Sequence, residues 1–233
     1  MRIPNVPPPD RLGRIDGLAY ALYLPDGEPR GGVVVLHGAG SSKESHLDFA
    51  RRCAANGLAA VAFDQRGHGE SDGPMDARAA ADVAAVAAVL PPGPVGLRGS
   101  SMGGYLALVA ADVVDAAAVV AICPATAGGL ARGIAAGRFS FDADVAATGA
   151  FLAEHPADEA AARLRCPLLL LHAEGDETVP VAHSRELHAL TPGSRLIAVP
   201  GGDHRSIQHD AELQAVSIRF LLQAFAAAAA DGG

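Results

Sequence analysis

Six short apolar runs, each ending in a glycine-rich loop or in residues able to do chemistry, constrain this chain more than any other feature. They occupy residues 32–36, 58–63, 94–97, 116–122, 167–172 and 196–199. Between them lie helix-length stretches at 43–56 (closed by Gly57), 77–90 (stopped by Pro91-Pro92), 105–111, 181–190 and 206–229. A strand–helix alternation of this kind predicts a parallel sheet with helices on both faces. Residues 11–24 read as a hairpin turning at Asp16-Gly17, which adds two strands and an antiparallel edge, eight in all. Right-handed crossovers would bring the loop after every parallel strand to one edge of the sheet.

The chemistry sits in those loops. Gly99-Ser100-Ser101-Met102-Gly103 is a G-x-S-x-G pentapeptide between the 94–97 run and an apolar helical stretch, the context a nucleophile elbow requires. Such a turn throws one hydroxyl out at the end of a strand, and side chains two residues either way would obstruct it. Only Ser101 has glycine at both −2 and +2. Standing alone, the string also fits an ordinary glycine-rich turn. Upstream, the first run ends in His37-Gly38-Ala39-Gly40, small residues that leave backbone N–H groups unencumbered. Downstream, Asp176 follows the 167–172 run, and His204 follows the 196–199 run in Pro200-Gly201-Gly202-Asp203-His204. The chain order is Ser, Asp, His.

Taken together these segments resemble the α/β-hydrolase superfamily, in particular small bacterial serine hydrolases of the esterase, thioesterase and dienelactone-hydrolase-like kind. The resemblance runs from Gly32 to about Phe225 and includes Asp64-Gln65-Arg66-Gly67-His68-Gly69-Glu70-Ser71, which is similar to a D-x-R-G-x-G-x-S loop of that superfamily. It implies an α/β-hydrolase fold: a mostly parallel eight-stranded sheet with helices on both faces, in one domain over residues 1–233, with a short cap insertion at about 125–164. It further implies Ser101 as nucleophile, His204 as general base, Asp176 as its orienter, and the Ala39 and Met102 amides as oxyanion donors. The expected reaction is hydrolysis of carboxylic esters of small to medium acyl chain through an acyl-enzyme. A thioesterase, an aminopeptidase-like amidase and a non-catalytic ligand-binding relative are the alternatives. Dienelactone hydrolases proper carry cysteine where this chain has Ser101, which argues against a cyclic dienelactone substrate.

About forty residues, 124–165, separate two strands where a crossover needs fewer. A segment this short would form at most a couple of helices. Phe139, Phe141 and Phe151 lie in it and either pack the insertion onto the body or line an acyl pocket over Ser101. Asp142, Asp144 and Asp203 compete with Asp176 for the acid position. His37 is expected to be a structural group beside Arg66, and His68 likewise. His183 and His188 stand five apart on a helix, pointing to different faces, and no H-E-x-x-H is present, so no metal is expected. Gly38-Ala39-Gly40-Ser41-Ser42-Lys43 fails the phosphate-loop pattern because serine precedes the lysine. No cofactor is expected.

A net charge of −8 leaves no basic stripe for a phosphate backbone, so nucleic acid is not an expected partner. Cys53, Cys123 and Cys166 are widely spaced and odd in number, which suits buried thiols in a reducing compartment. Residues 1–10 lack an apolar core and are broken by prolines, and the apolar tail at 218–230 carries Arg219 and Gln223. A cytoplasmic protein, monomer or homodimer, without membrane contact, is the expectation.

Overall fold

The computed structural model describes residues 7–231; the proline-broken residues 1–6 and the last two, expected to be irregular, lie outside the described residues. Eight strands form one sheet: β1 (Arg11–Ile15), β2 (Leu18–Tyr23), β3 (Gly32–Leu36), β4 (Ala59–Phe63), β5 (Val95–Ser100), β6 (Ala118–Ile122), β7 (Leu168–Ala173) and β8 (Arg195–Val199). Their spatial order is β1-β2-β4-β3-β5-β6-β7-β8, with the β1–β2 and β2–β4 pairs antiparallel and all other neighbours parallel. The hairpin turns where the sequence places it, at Asp16 (φ 49°) and Gly17 (φ 80°), a pair of left-handed residues that matches the twist of the strands.

Every residue of β3, β4, β6 and β7 is buried, as strands covered on both faces must be. Alternate side chains feed two cores. One, with Val34, Leu36, Leu97 and Leu170, is covered by α2 (Ala79–Ala87), α3 (Met102–Val109) and α8 (Val181–Leu190). The other, with Val33, Val35, Val120 and Leu171, is covered by α1 (Leu47–Ala55) and the C-terminal helix Ala211–Asp231.

Strand register decides where the loops fall. Leu36 pairs with Gly99, Ser100 with Ile122, Ile122 with Leu171, and Ala173 with Val199. The chain segments beginning at His37, Ser101, Cys123, Glu174 and Pro200 therefore leave the sheet at one edge.

Several helix boundaries differ from the sequence expectation, among them that of α3, which runs Met102–Val109 and not 105–111. The stretch 43–56 divides into a 3-10 turn, Lys43–His46, and α1, because the Lys43 N–H and ammonium are both drawn onto the Asp64 carboxylate (2.7 and 2.8 Å). The helix anticipated at 77–90 keeps regular form only to Ala87, continuing as a tighter turn in which the Leu90 N–H reaches Ala87. The last helix starts at Ala211, five residues late, because Asp210 accepts hydrogen bonds from the Glu212 and Leu213 N–H groups (2.9 Å each) and sets its N-terminus there. It runs 21 residues, and its stretch 211–230 is by length and composition long enough to cross a membrane, which the apolar tail 218–230 alone is not. Here its Ile218, Leu221 and Phe225 are buried in the second core.

The insertion contains more regular structure than expected. The short helix α4 (Ala111–Val114) precedes β6, and three helices then separate β6 from β7: α5 (Ala127–Ala135), α6 (Val145–Glu154) and α7 (Ala157–Arg163). Counting these, the C-terminal helix is α9. The insertion is tied to the body where Met75 exchanges backbone hydrogen bonds with Asp142 and Asp144 (2.9 Å each) and its carbonyl accepts from Thr148 Oγ1 (2.7 Å).

Candidate active site

Ser101 stands between β5 and α3 with φ 54° and ψ −117°, a conformation that side chains rarely adopt. The flanking glycines hold it there. A Cβ on Gly99 would lie 2.0 Å from the Gly103 carbonyl oxygen, and one on Gly103 would lie 2.3 Å from that of Leu36. The elbow is thus clamped by backbone on both sides, which is the physical content of the G-x-S-x-G spacing.

Across the edge of the sheet, the acid and histidine loops are laced together. The Gly175 N–H donates to the Gly201 carbonyl (3.2 Å), and a Cβ on Gly175 would meet Gly202 O at 2.3 Å. The Asp176 carboxylate is fixed by its own loop, Oδ1 accepting from the Thr178 and Val179 N–H groups (2.9 Å each). Its Oδ2 accepts from His204 Nδ1 (2.6 Å), and His204 Nε2 lies 2.8 Å from Ser101 Oγ. With Nδ1 donating to a carboxylate, Nε2 is left as the acceptor facing the serine hydroxyl. Burial would raise the Asp176 carboxyl, but the Val179 N–H and His204 outweigh it and hold it below the ordinary range.

The competing aspartates stand elsewhere. Asp144 caps α6 by accepting from the Ala147 N–H, Asp203 accepts from the Arg205 and Ser206 N–H groups, and the backbone of Asp142 bonds Gly67 and Met75.

Ala39 and Ser101 line a common cavity of about 410 Å³. Met102 opens α3, so its N–H has no intrahelical acceptor and carries the positive end of the helix dipole. The turn bearing Ala39 is braced by two histidines. His37 donates through Nδ1 to the Gly38 carbonyl (2.8 Å) and accepts the Gln65 N–H at Nε2 (3.1 Å). His68 donates to the Arg66 carbonyl (3.0 Å) and accepts the Gly40 N–H (3.1 Å). Each ring donates once and accepts once, the pattern of a neutral imidazole, and the shifts run the same way: burial, then the cost of charging it beside His68, lowers His37 to about 4, and burial lowers His68. His37 therefore serves as a structural group against Gln65, not beside Arg66. Arg66 instead pairs with the buried Asp82 (2.9 Å).

Of the three phenylalanines only Phe139 lines the cavity. Phe141 stacks on His68, ring centroids 4.1 Å apart, and supports the braced turn. Phe151 is buried in the first core and stacks on His155 (4.5 Å), because α6 turns its apolar face toward the body. Lys43 finds a structural use: its ammonium binds Asp64, Glu70 and Glu44 (2.6–2.8 Å), whose pull outweighs its burial and raises it well above the ordinary lysine range.

Three contributors escaped sequence reasoning. Cys123, at the end of β6 with φ 42°, has its sulfur within 4.8 Å of both the Asp176 carboxylate and the His204 ring; burial pushes its thiol up to about 12, so it stays protonated. Only its strand-end position hinted at this. Arg132 and Arg138 line the cavity, and nothing in their local sequence sets them apart from solvated arginines.

A strand–serine–helix elbow at the carboxyl edge of a mostly parallel sheet, with histidine and aspartate in hydrogen-bonded line, defines a class of fold and site. Family models agree: one described as serine aminopeptidase S33 matches residues 27–141, and one described as TAP-like protein matches residues 148–228. A monoacylglycerol lipase of Mycolicibacterium smegmatis is 30% identical over 223 residues, covering 73% of this chain and 79% of that one. Among solved structures, the monoacylglycerol lipase of Paleococcus ferrophilus superposes with TM-score 0.71 at 21% identity, covering 89% of this chain and 99% of that one. Est1E from Butyrivibrio proteoclasticus gives TM-score 0.73 at 18% identity over 93% and 98% of the two chains. The chain belongs to the α/β-hydrolase superfamily.

Proposed function

We propose that this protein is a serine hydrolase that cleaves carboxylic esters of small to medium acyl chain through an acyl-enzyme. The observation that carries the reading is the unbroken line from Ser101 Oγ to His204 Nε2 (2.8 Å) and from His204 Nδ1 to Asp176 Oδ2 (2.6 Å). His204 takes the serine proton as Oγ attacks the ester carbonyl carbon, and Asp176 holds the imidazole tautomer and stabilises its charged form. The Ala39 and Met102 N–H groups receive the developing oxyanion, a contribution of about 3–4 kcal/mol per donor. Collapse of the tetrahedral intermediate expels the alcohol, which takes the proton from His204. Water then enters by the same route, and the carboxylic acid leaves.

Ester chemistry is favoured by the name of the Mycolicibacterium smegmatis relative, monoacylglycerol lipase. A cavity of about 410 Å³ is at the small end of ligand sites and suits short acyl groups better than long lipid chains. The aminopeptidase description of the matching family model keeps amide hydrolysis as a second reading. The deciding experiment is hydrolysis of p-nitrophenyl esters from acetate to palmitate by wild type and Ser101→Ala, with fluorophosphonate labelling of both. Serine-dependent turnover highest at short chains is expected. Labelling without ester turnover moves the assignment to thioester or amide substrates, and neither labelling nor turnover moves it to a binding protein.

A further inference from the structure

We propose that the natural substrate is an anionic ester, and that Arg132 and Arg138 recognise a carboxylate on its acyl or alcohol part; this deepens the hydrolase reading above and rests on it. The charged lining of the cavity that holds Ser101 consists of these two arginines, while Ala125, Leu130, Phe139 and Val179 make much of the rest apolar. Among the described residues no carboxylate lines it, although the chain carries 26 acidic against 18 basic residues. A positive, largely apolar recess in an acidic molecule selects for charge as well as shape.

The two guanidinium groups are also uncommitted. Arg14, Arg66, Arg78, Arg163 and Arg185 each hold a carboxylate, whereas neither Arg132 nor Arg138 has an ion-pair or side-chain hydrogen-bond partner among the described residues. Arg132 folds back along α5: one of its terminal nitrogens lies 3.2 Å from where a Cβ on Gly128 would stand, over the helix's first turn. That turn, capped by Thr126 through the Gly129 N–H (3.0 Å), borders the same cavity and adds the positive end of the helix. Arg138 is held in the turn after α5, its N–H donating to the Gly133 carbonyl (2.9 Å), beside the Phe139 wall. Planar guanidinium forks bordering an apolar recess suit a carboxylate at the end of an aliphatic or aryl chain, with the chain on the apolar walls and the ester carbonyl at Ser101.

The test compares kcat/KM for matched esters: monophenyl adipate against phenyl hexanoate for an acyl-side charge, and p-(carboxymethyl)phenyl butyrate against phenyl butyrate for an alcohol-side charge. A p-(phosphonomethyl)phenyl butyrate arm separates carboxylate from phosphate-like recognition. In at least one pair the anionic ester is expected to win by about tenfold or more at low salt. In Arg132→Gln/Arg138→Gln that ratio should fall to about one, mainly through KM, and Arg132→Lys should retain part of it. The ratio is informative because a general loss of folding or catalytic power would not move it. Raising ionic strength should shrink it in wild type and leave it flat in the double variant.

Wild-type ratios at or below one for both pairs overturn the proposal while leaving the hydrolase standing, as does a phosphonate that outperforms its carboxylate counterpart. Should no ester be cleaved and Ser101 resist fluorophosphonate, the hydrolase reading itself fails. Calorimetric titration with adipate then decides the arginine pair directly. Binding that the double variant loses, with hexanoate silent, upholds it, and no adipate binding to wild type overturns it.

Discussion

The floor of the cavity and its roof are built on different principles. Ser101, Asp176 and His204 are held from below by backbone: glycine contacts at the elbow, two N–H groups on Asp176, and a hydrogen bond between the acid and histidine loops. The roof, from α5 through Phe139, touches the cavity with side chains, among them two exposed arginines and one half-buried ring. Backbone clamping fixes these atoms to the tolerance that the proposed proton transfer demands, whereas side chains on short helices can be exchanged without disturbing the sheet. Damage to the floor should therefore cost turnover or folding, and damage to the roof should change which substrate is used.

The largest effect should come from the floor's chemistry. Ser101→Ala and His204→Ala are expected to lower ester turnover by about 10⁶-fold, and Asp176→Asn by about 10⁴-fold, with unchanged circular dichroism. Residual serine-independent hydrolysis in purified Ser101→Ala would refute the assignment. Next comes the floor's backbone. Gly103→Ala places a methyl 2.3 Å from the Leu36 carbonyl oxygen, so a loss of more than about 4 kcal/mol of stability, or insoluble protein, is expected in denaturant melts.

The braced turn gives a pH signature. His37 is lowered in the folded state to about 4 from 6.5, so the unfolded chain takes up its proton first. Its contribution, about 3 kcal/mol, is complete above pH 6.5 and is lost as pH falls toward 4. His68 is shifted the same way and adds to the loss. Denaturant midpoints that stay level between pH 7 and pH 4 would sink this account.

Roof changes should be milder and should alter selectivity. A Cβ on Gly133 would stand 2.3 Å from the Phe139 ring, a half-buried side chain, not backbone, so the ring must shift. Gly133→Ala should thus change the ratio of kcat/KM between acetate and hexanoate esters by about tenfold with little loss of stability. A ratio that stays put would mean that Phe139 does not bound the acyl site. The smallest effect is expected from Phe141→Leu, which trims the stack on His68 and should cost about 1 kcal/mol in thermal unfolding.

Much of the floor was readable because its signals are local. Strand runs, the elbow glycines and the Ser, Asp, His order each depend on residues close in sequence, so eight strands and the placement of Asp176 over Asp142, Asp144 and Asp203 could be anticipated. Helix starts were less legible. The break at residues 43–46 follows from Asp64, 21 residues away, and the late start of α9 from a capping side chain that competes with the helix backbone. The roof was least legible: three phenylalanines of equal standing in the sequence went to the cavity, to His68 and to the core.

What the sequence determined by itself was the set of candidate residues, Ser101, Asp176 and His204, and the edge of the sheet they share, because strand periodicity and turn chemistry act over a few residues. What only the tertiary structure decided was the environment of those groups: the Cys123 thiol against Asp176, the neutral His37 and His68, and the arginine-lined mouth over Ser101. Those depend on which side chains from distant segments meet in space, and burial, charge and cavity shape exist only once they have met.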